Sequence, residues 1–201
     1  GGKVYLILGD RTSDTPNLDG IMSDYGLKKV SGYIADTQRC YQGNYYAIFP
    51  QLSLSGDLGS GISNQMVLLL NSPGMEKTDT DNDNLTVTPF MQTSDSGYAV
   101  TENDQTQGQY ILGAVSTNAI SADSSDSDSE DEDDESDATD TDTKTARLTV
   151  LASASMISSD ITDQLTTLDN LTLFVNGLPL LVLIFINKML TILVGAFHTS
   201  L

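Results

Sequence analysis

Residues 3–26, KVYLILGDRTSDTPNLDGIMSDYG, constrain the fold more than any other stretch of this 201-residue chain. Val4, Tyr5, Leu6, Ile7 and Leu8 form an unbroken apolar run, the pattern of a strand covered on both faces. Gly9 and Asp10 end it, and a polar loop containing Asp10, Arg11 and Asp14 leads to Pro16. Leu18, Ile21, Met22 and Tyr25 then recur at helical spacing, with Gly26 placed as a C′ glycine. A buried strand followed by an amphipathic helix is half of a βαβ unit, so the expectation is an α/β fold. Its sheet should be partly parallel or mixed, with flanking helices, as in a piece of a Rossmann or flavodoxin-like domain.

Charge narrows the function classes once its placement is seen. The formal charge is −19, but 12 acidic residues and no basic one lie between Asp123 and Asp142. The remainder carries 16 acidic and 9 basic residues, a net of −7 that is ordinary for a soluble domain. No basic stripe exists to neutralise phosphates, so nucleic acid is disfavoured as a partner. Residues 121–143 hold almost nothing but Ser, Asp, Glu and Thr, with no side chain larger than Ala to bury, and should form a disordered acidic insertion.

The chemistry-bearing residues are sparse. Cys40 is the only cysteine, which excludes an intrachain disulfide and a cysteine-based zinc site. His198 is the only histidine and lies in the apolar tail, so the body of the chain lacks the base of a Ser-His-Asp or Cys-His arrangement. Gly56, Gly59 and Gly61 lie in a loop with no Lys-Ser/Thr after it and no strand leading into it, which reads as a connection and not as a phosphate cradle. Asp79, Asp81 and Asp83 resemble the start of a calcium loop, but Asn84 and Phe90 stand where an EF-hand needs Gly and Glu. No catalytic set, metal or cofactor is implied.

Tyr41, Tyr45 and Tyr46 precede the run Ala47-Ile48-Phe49-Pro50. Such a cluster is either strand packing or an aromatic binding face. Further strands are expected at 30–36, 66–71, 85–91, 109–115 and 146–153, and a helix at 169–175. Asp169 or Asn170 should cap that helix, with Leu171, Phe174 and Val175 buried. Residues 178–197 are long enough to span a bilayer, but Pro179 and the central Asn187 and Lys188 bring the insertion balance to near zero. The tail at 177–201 is therefore a candidate transmembrane helix, with a membrane-embedded hairpin and a non-native read-through tail as the alternatives.

The order of these segments resembles the GldG-like family, auxiliary components of ABC-type transport systems named for bacterial gliding motility. The resemblance rests on the strand of residues 3–10, Pro16-Asn17-Leu18 leading to Tyr25-Gly26, and the strand of 30–36 ending in an acidic residue. It continues with residues 86–89, 93–100 and 108–114, then the closing strand and turn of 147–158 and the helix of 170–176. It implies one α/β domain at 1–120 and 144–176, truncated at its N-terminus, with Gly1-Gly2 as the end of a missing helix. It also implies a non-enzymatic domain on the extracytoplasmic side of a bacterial cell membrane, partnered by ABC permease and ATPase subunits.

A glycan- or peptide-binding module using Asp10, Arg11, Asp14, Tyr41, Tyr45 and Tyr46 is the alternative. An amidotransferase-like enzyme lacks a histidine to pair with Cys40. Without its upstream neighbour, the first strand should expose one edge.

Overall fold

The computed structural model describes residues 2–9, 15–120 and 144–178. The elements run β1 (Lys3–Ile7), α1 (Pro16–Asp24), β2 (Leu27–Lys29), β3 (Tyr33–Asp36), β4 (Cys40–Tyr41), β5 (Asn44–Ile48) and β6 (Gln51–Leu52). A 3-10 turn at Gly56–Gly59 precedes β7 (Leu69–Leu70), β8 (Met75–Lys77), β9 (Leu85–Gln92), β10 (Gly97–Val100) and β11 (Gln105–Gln107). Then come β12 (Ile111–Ile120), β13 (Lys144–Leu151), a second 3-10 turn at Ala154–Ile157, α2 (Ser159–Thr162) and α3 (Asn170–Gly177). Among the described residues strand outweighs helix, 40% to 19%, so the fold is a β-rich form of α/β.

The main sheet runs β1-β13-β12-β8-β2, with β9 also against β12 and β6 against β9. It is mixed. Only β1 and β13 pair in parallel among the described strands, from Lys3↔Arg147 to Ile7↔Leu151. The expectation that α1 would return the chain to a parallel neighbour is corrected here: α1 leads to β2, which pairs antiparallel with β8. Parallel neighbours need a crossover, and antiparallel ones need only a turn. Here the parallel partner of β1 comes from the far end of the domain.

The ladder also sorts the two faces of the sheet. Cross-strand partners share a face, so Val4, Leu148, Ser116 and Val87 line up on one side, and Tyr5, Thr149, Val115 and Thr88 on the other. On the first side the Ser116 hydroxyl donates to the Tyr25 carbonyl at 2.8 Å, which brings the end of α1 onto the sheet. On the second, the Tyr5 and Phe174 rings meet edge to face at 5.6 Å, and the Tyr5 hydroxyl donates to the Phe174 carbonyl. Burial pushes that hydroxyl above the usual tyrosine range. The core runs between these layers through Met22, Phe90, Met91, Leu112, Leu148 and Leu151.

The expectation that β1 is covered on both faces is corrected: Val4 is 54% exposed, and burial is reached only at Leu8. Among the described strands β1 pairs with β13 alone, at the edge of the sheet. Of the strand expected at 30–36 only Tyr33–Asp36 forms, as β3, and β2 lies just before that range in a different sheet. Gly32 makes the break, at φ +86°, where a Cβ would overlap the Val100 carbonyl. Gly26 takes its expected place after α1 at φ +72°. In α3, Leu171 and Val175 are exposed, while Asn170, Leu173 and Gly177 are buried. The acidic insertion at 121–143 and the tail beyond Leu178 lie outside the described residues. No helix among those described is long and apolar enough to cross a membrane.

Candidate functional site

The tyrosine cluster forms a hairpin. β4 and β5 are joined through Gln42 and Gly43 at φ 50° and 78°, positive at both central positions as a tight hairpin turn requires. Strand alternation places Tyr45 on the side of Ala47, and Tyr46 on the side of Ile48. The two tyrosines therefore do not form one continuous face. Tyr45 is 50% exposed. Tyr41 packs edge-on against Phe49 at 5.9 Å, beside Ala47 and Leu68 in a small second apolar cluster. Tyr41 thus serves strand packing, and Tyr45 is the tyrosine of the three most open to a partner.

Beside the hairpin lies an open groove of about 340 Å³ between residues 38–40 and 49–50 on one wall and 65–67 on the other. The first wall is set by Asp36 at the end of β3. Its carboxylate is fully buried and accepts from the Gln38 and Arg39 N–H groups at 3.0 and 2.9 Å. It also accepts from the Ser94 N–H and hydroxyl at 2.7 and 2.8 Å. Burial acts to raise its pKa, but these donors outweigh that and hold it below the usual carboxylate range. Arg39 then donates to the Phe49 and Pro50 carbonyls at 2.7 and 3.3 Å. Arg39 lines the groove and forms no ion pair among the described residues.

The second wall is held from α3. The Asp169 carboxylate accepts from the Ser63, Asn64 and Met66 N–H groups at 3.2, 2.9 and 3.3 Å. Burial again acts to raise its pKa, and these bonds lower it on balance. Asp169 occupies the N-cap position but makes no side-chain cap bond, because its oxygens are committed to this loop. Asn170, also buried, accepts from the Leu68 N–H and donates to the Leu68 and Met156 carbonyls at 2.9, 2.8 and 3.0 Å. Between these anchors Gln65 takes φ +53°, and Met66 is turned outward at 44% exposure.

Asp10, Arg11 and Asp14 lie outside the described residues. Cys40 is half-buried and lines the groove. Among the described residues no three His, Cys, Asp or Glu side chains gather where they could hold a metal, Asp79, Asp81 and Asp83 included. The loop at 52–62 is held by Asn176, which donates to the Leu58 and Ser60 carbonyls. Arg39, Asp36 and Asn170 are what sequence reading missed at this site. An acidic residue closing a strand and an Asp-Asn pair at a helix start are visible in the sequence. Which backbone they bind is a matter of tertiary contact.

Among solved structures, the chain is similar to the mmIFT52 N-terminal domain, at 11% identity and a TM-score of 0.49, over 87% of this chain and 62% of that one. It thus spans less than two thirds of that chain's length. No family model and no curated protein sequence matches it.

Proposed function

We propose that the chain is a non-enzymatic interaction domain that works by binding other proteins. The observation that carries the reading is the groove between the hairpin and residues 65–67. It combines apolar walls from Phe49, Pro50, Met66 and Val67 with one guanidinium, Arg39, that lacks a carboxylate partner among the described residues. An apolar contact ringed by a single charge suits recognition of another surface.

The setting we propose is the extracytoplasmic side of a bacterial cell membrane, next to the permease and ATPase subunits of an ABC-type transport or gliding-motility-like system. It follows from the segment order that resembles the GldG-like family, and the apolar residues 177–201 would supply the anchor. The finer fold reading, a piece of a Rossmann or flavodoxin-like domain, is supported by the parallel β1–β13 pair with α1 and α3 on opposite faces. The test is copurification of the domain with permease subunits from solubilised membranes. Wild type should be retained, and Arg39→Glu with Met66→Asp should be lost. No retention of wild type, or equal retention of the double variant, overturns the reading.

The exposed Tyr45 favours one second reading, a glycan- or peptide-binding module on the cell surface. Array binding that disappears with Tyr45→Ala would support it, and binding that survives both Tyr45→Ala and Tyr46→Ala would remove it.

A further inference from the structure

The face of the main sheet that carries α3 is not wholly covered. One row across it, Thr88, Val115, Thr149 and Tyr5, leads to the Tyr5–Phe174 contact beneath the helix. The next row holds Thr86, Thr117, Arg147 and Lys3. Arg147 and Lys3 are direct ladder partners, so two cations stand side by side. Like charges so placed disfavour one another. The chain has 28 acidic residues against 9 basic ones, yet neither cation forms an ion pair among the described residues.

Arg147 is also held in a defined orientation. Its Nε donates to the Thr149 hydroxyl at 3.3 Å, and its terminal nitrogens have no partner among the described residues. The side chain is half-buried and lines a cavity of about 280 Å³ with Ser53, Ser55, Asp57, Thr88 and Phe90. Three hydroxyls and a carboxylate can exchange hydrogen bonds with a hydroxylated ligand. Phe90 supplies an apolar surface, and the guanidinium presents the fork that matches a carboxylate. The volume lies just below the usual ~300–1,000 Å³ of ligand pockets, which limits the occupant to a single small ring. Asp57 in the lining disfavours a bare anion and favours one that also carries donors.

We propose that this cavity binds a small hydroxylated carboxylate, the size of one uronic acid, with Arg147 holding the carboxylate and Lys3 adding charge beside it. The inference is independent of the groove at Arg39 and of any partner there.

The probe is glucuronate, followed by NMR chemical-shift changes on the full chain, with glucose and acetate as half-ligands. Glucuronate should bind with a Kd of about 1 mM, a realistic strength for one sugar, and shift signals at residues 53–57, 88 and 147. Glucose and acetate should each bind at least tenfold more weakly. Arg147→Gln should weaken glucuronate at least tenfold, and Lys28→Gln, on a cation already paired with Glu76, should not. If Arg147→Gln does not fold, the pair Ser53→Ala and Ser55→Ala, in an exposed loop, is read in its place with the same expectation. No binding of glucuronate, or equal binding of glucose or acetate, overturns the proposal. Binding that appears only when residues 121–143 are deleted also overturns it, since the acidic segment would then be the occupant.

Discussion

Two neighbouring regions of this domain satisfy their backbones by different means. In the sheet formed by β1, β13, β12 and β9, strand meets strand in long ladders, with register kept from Gly113↔Leu151 to Ile120↔Lys144. In the region that joins residues 58–71 to 153–178, side chains stand where another strand would be. β7 pairs with β5 along one edge, through Ala47↔Leu70 and Ile48↔Leu69. Beyond that ladder, Leu68 bonds to the Asn170 amide through both its N–H and its carbonyl. The Leu70 N–H goes to the Ser155 hydroxyl, and the Leu70 carbonyl accepts from Ser153. The comparison teaches that one apolar core can support two kinds of order. A ladder is renewed at every residue, whereas a side-chain staple depends on one residue being right.

The largest effect should come from the ladder side. Leu148 is 1% exposed at the centre of the sheet, and Leu148→Ala should cost about 2–5 kcal/mol. Denaturant titration would measure the loss, and amide exchange should quicken throughout the domain. Exchange confined to the sheet would show that the two regions unfold separately.

Next in size is the staple. Asp169→Ala leaves the Ser63, Asn64 and Met66 N–H groups without their acceptor, a loss of about 2–3 kcal/mol. Exchange should rise first at residues 63–68 while the β12–β13 ladder stays protected. Equal loss of protection in both places would erase the distinction drawn here.

The third test uses pH. Asp36 and Asp169 have folded pKa values below those of the unfolded chain. Their contribution is therefore complete above the ordinary carboxylate range, and it is lost as pH falls through the lowered folded values. The melting temperature should decline below about pH 4. Asp36→Asn and Asp169→Asn together should flatten that decline, and an unchanged acid limb would mean other carboxylates govern it.

The smallest effect belongs to the acidic insertion. Its flanking residues Ile120 and Lys144 are ladder partners, so deleting 121–143 and joining the ends through a short turn preserves the hairpin. The melting temperature should move by only a few degrees, roughly the consequence of 1 kcal/mol in a domain of this size. A collapse of folding would make the segment part of the structure.

The ladder side was the more legible in sequence. Residues 85–91, 109–115 and 146–153 read as strands because apolar and β-branched residues recur through them; β9 covers the first range, and β12 and β13 overlap the other two with shifted ends. The staple side was not, because Asp, Asn and Ser ordinarily mark turns and caps. Residues 66–71 carry the apolar run of a strand, yet only Leu69–Leu70 joins a ladder. In α3 the apolar count favoured Leu171 and Val175 as buried. Asn170 is inside instead, since its amide has backbone to bind there. At the candidate site the tyrosines were visible from the start. Arg39 was not, because its place depends on a carboxylate three residues earlier and on carbonyls ten and eleven residues later.

The parallel pair at the edge of the sheet has a consequence in time. Lys3 and Arg147 are ladder partners, so β1, once synthesised, waits for a strand that follows about 144 residues later. At ~5–20 residues per second, that interval is roughly 7–30 s on a translating ribosome. Throughout it Val4, Tyr5, Leu6 and Ile7 have no β13 to pair with, and the closing contact spans most of the domain. Native-like pairing of β9 with β12 can precede it, and the docking of β1 is then the late, order-limiting event of folding.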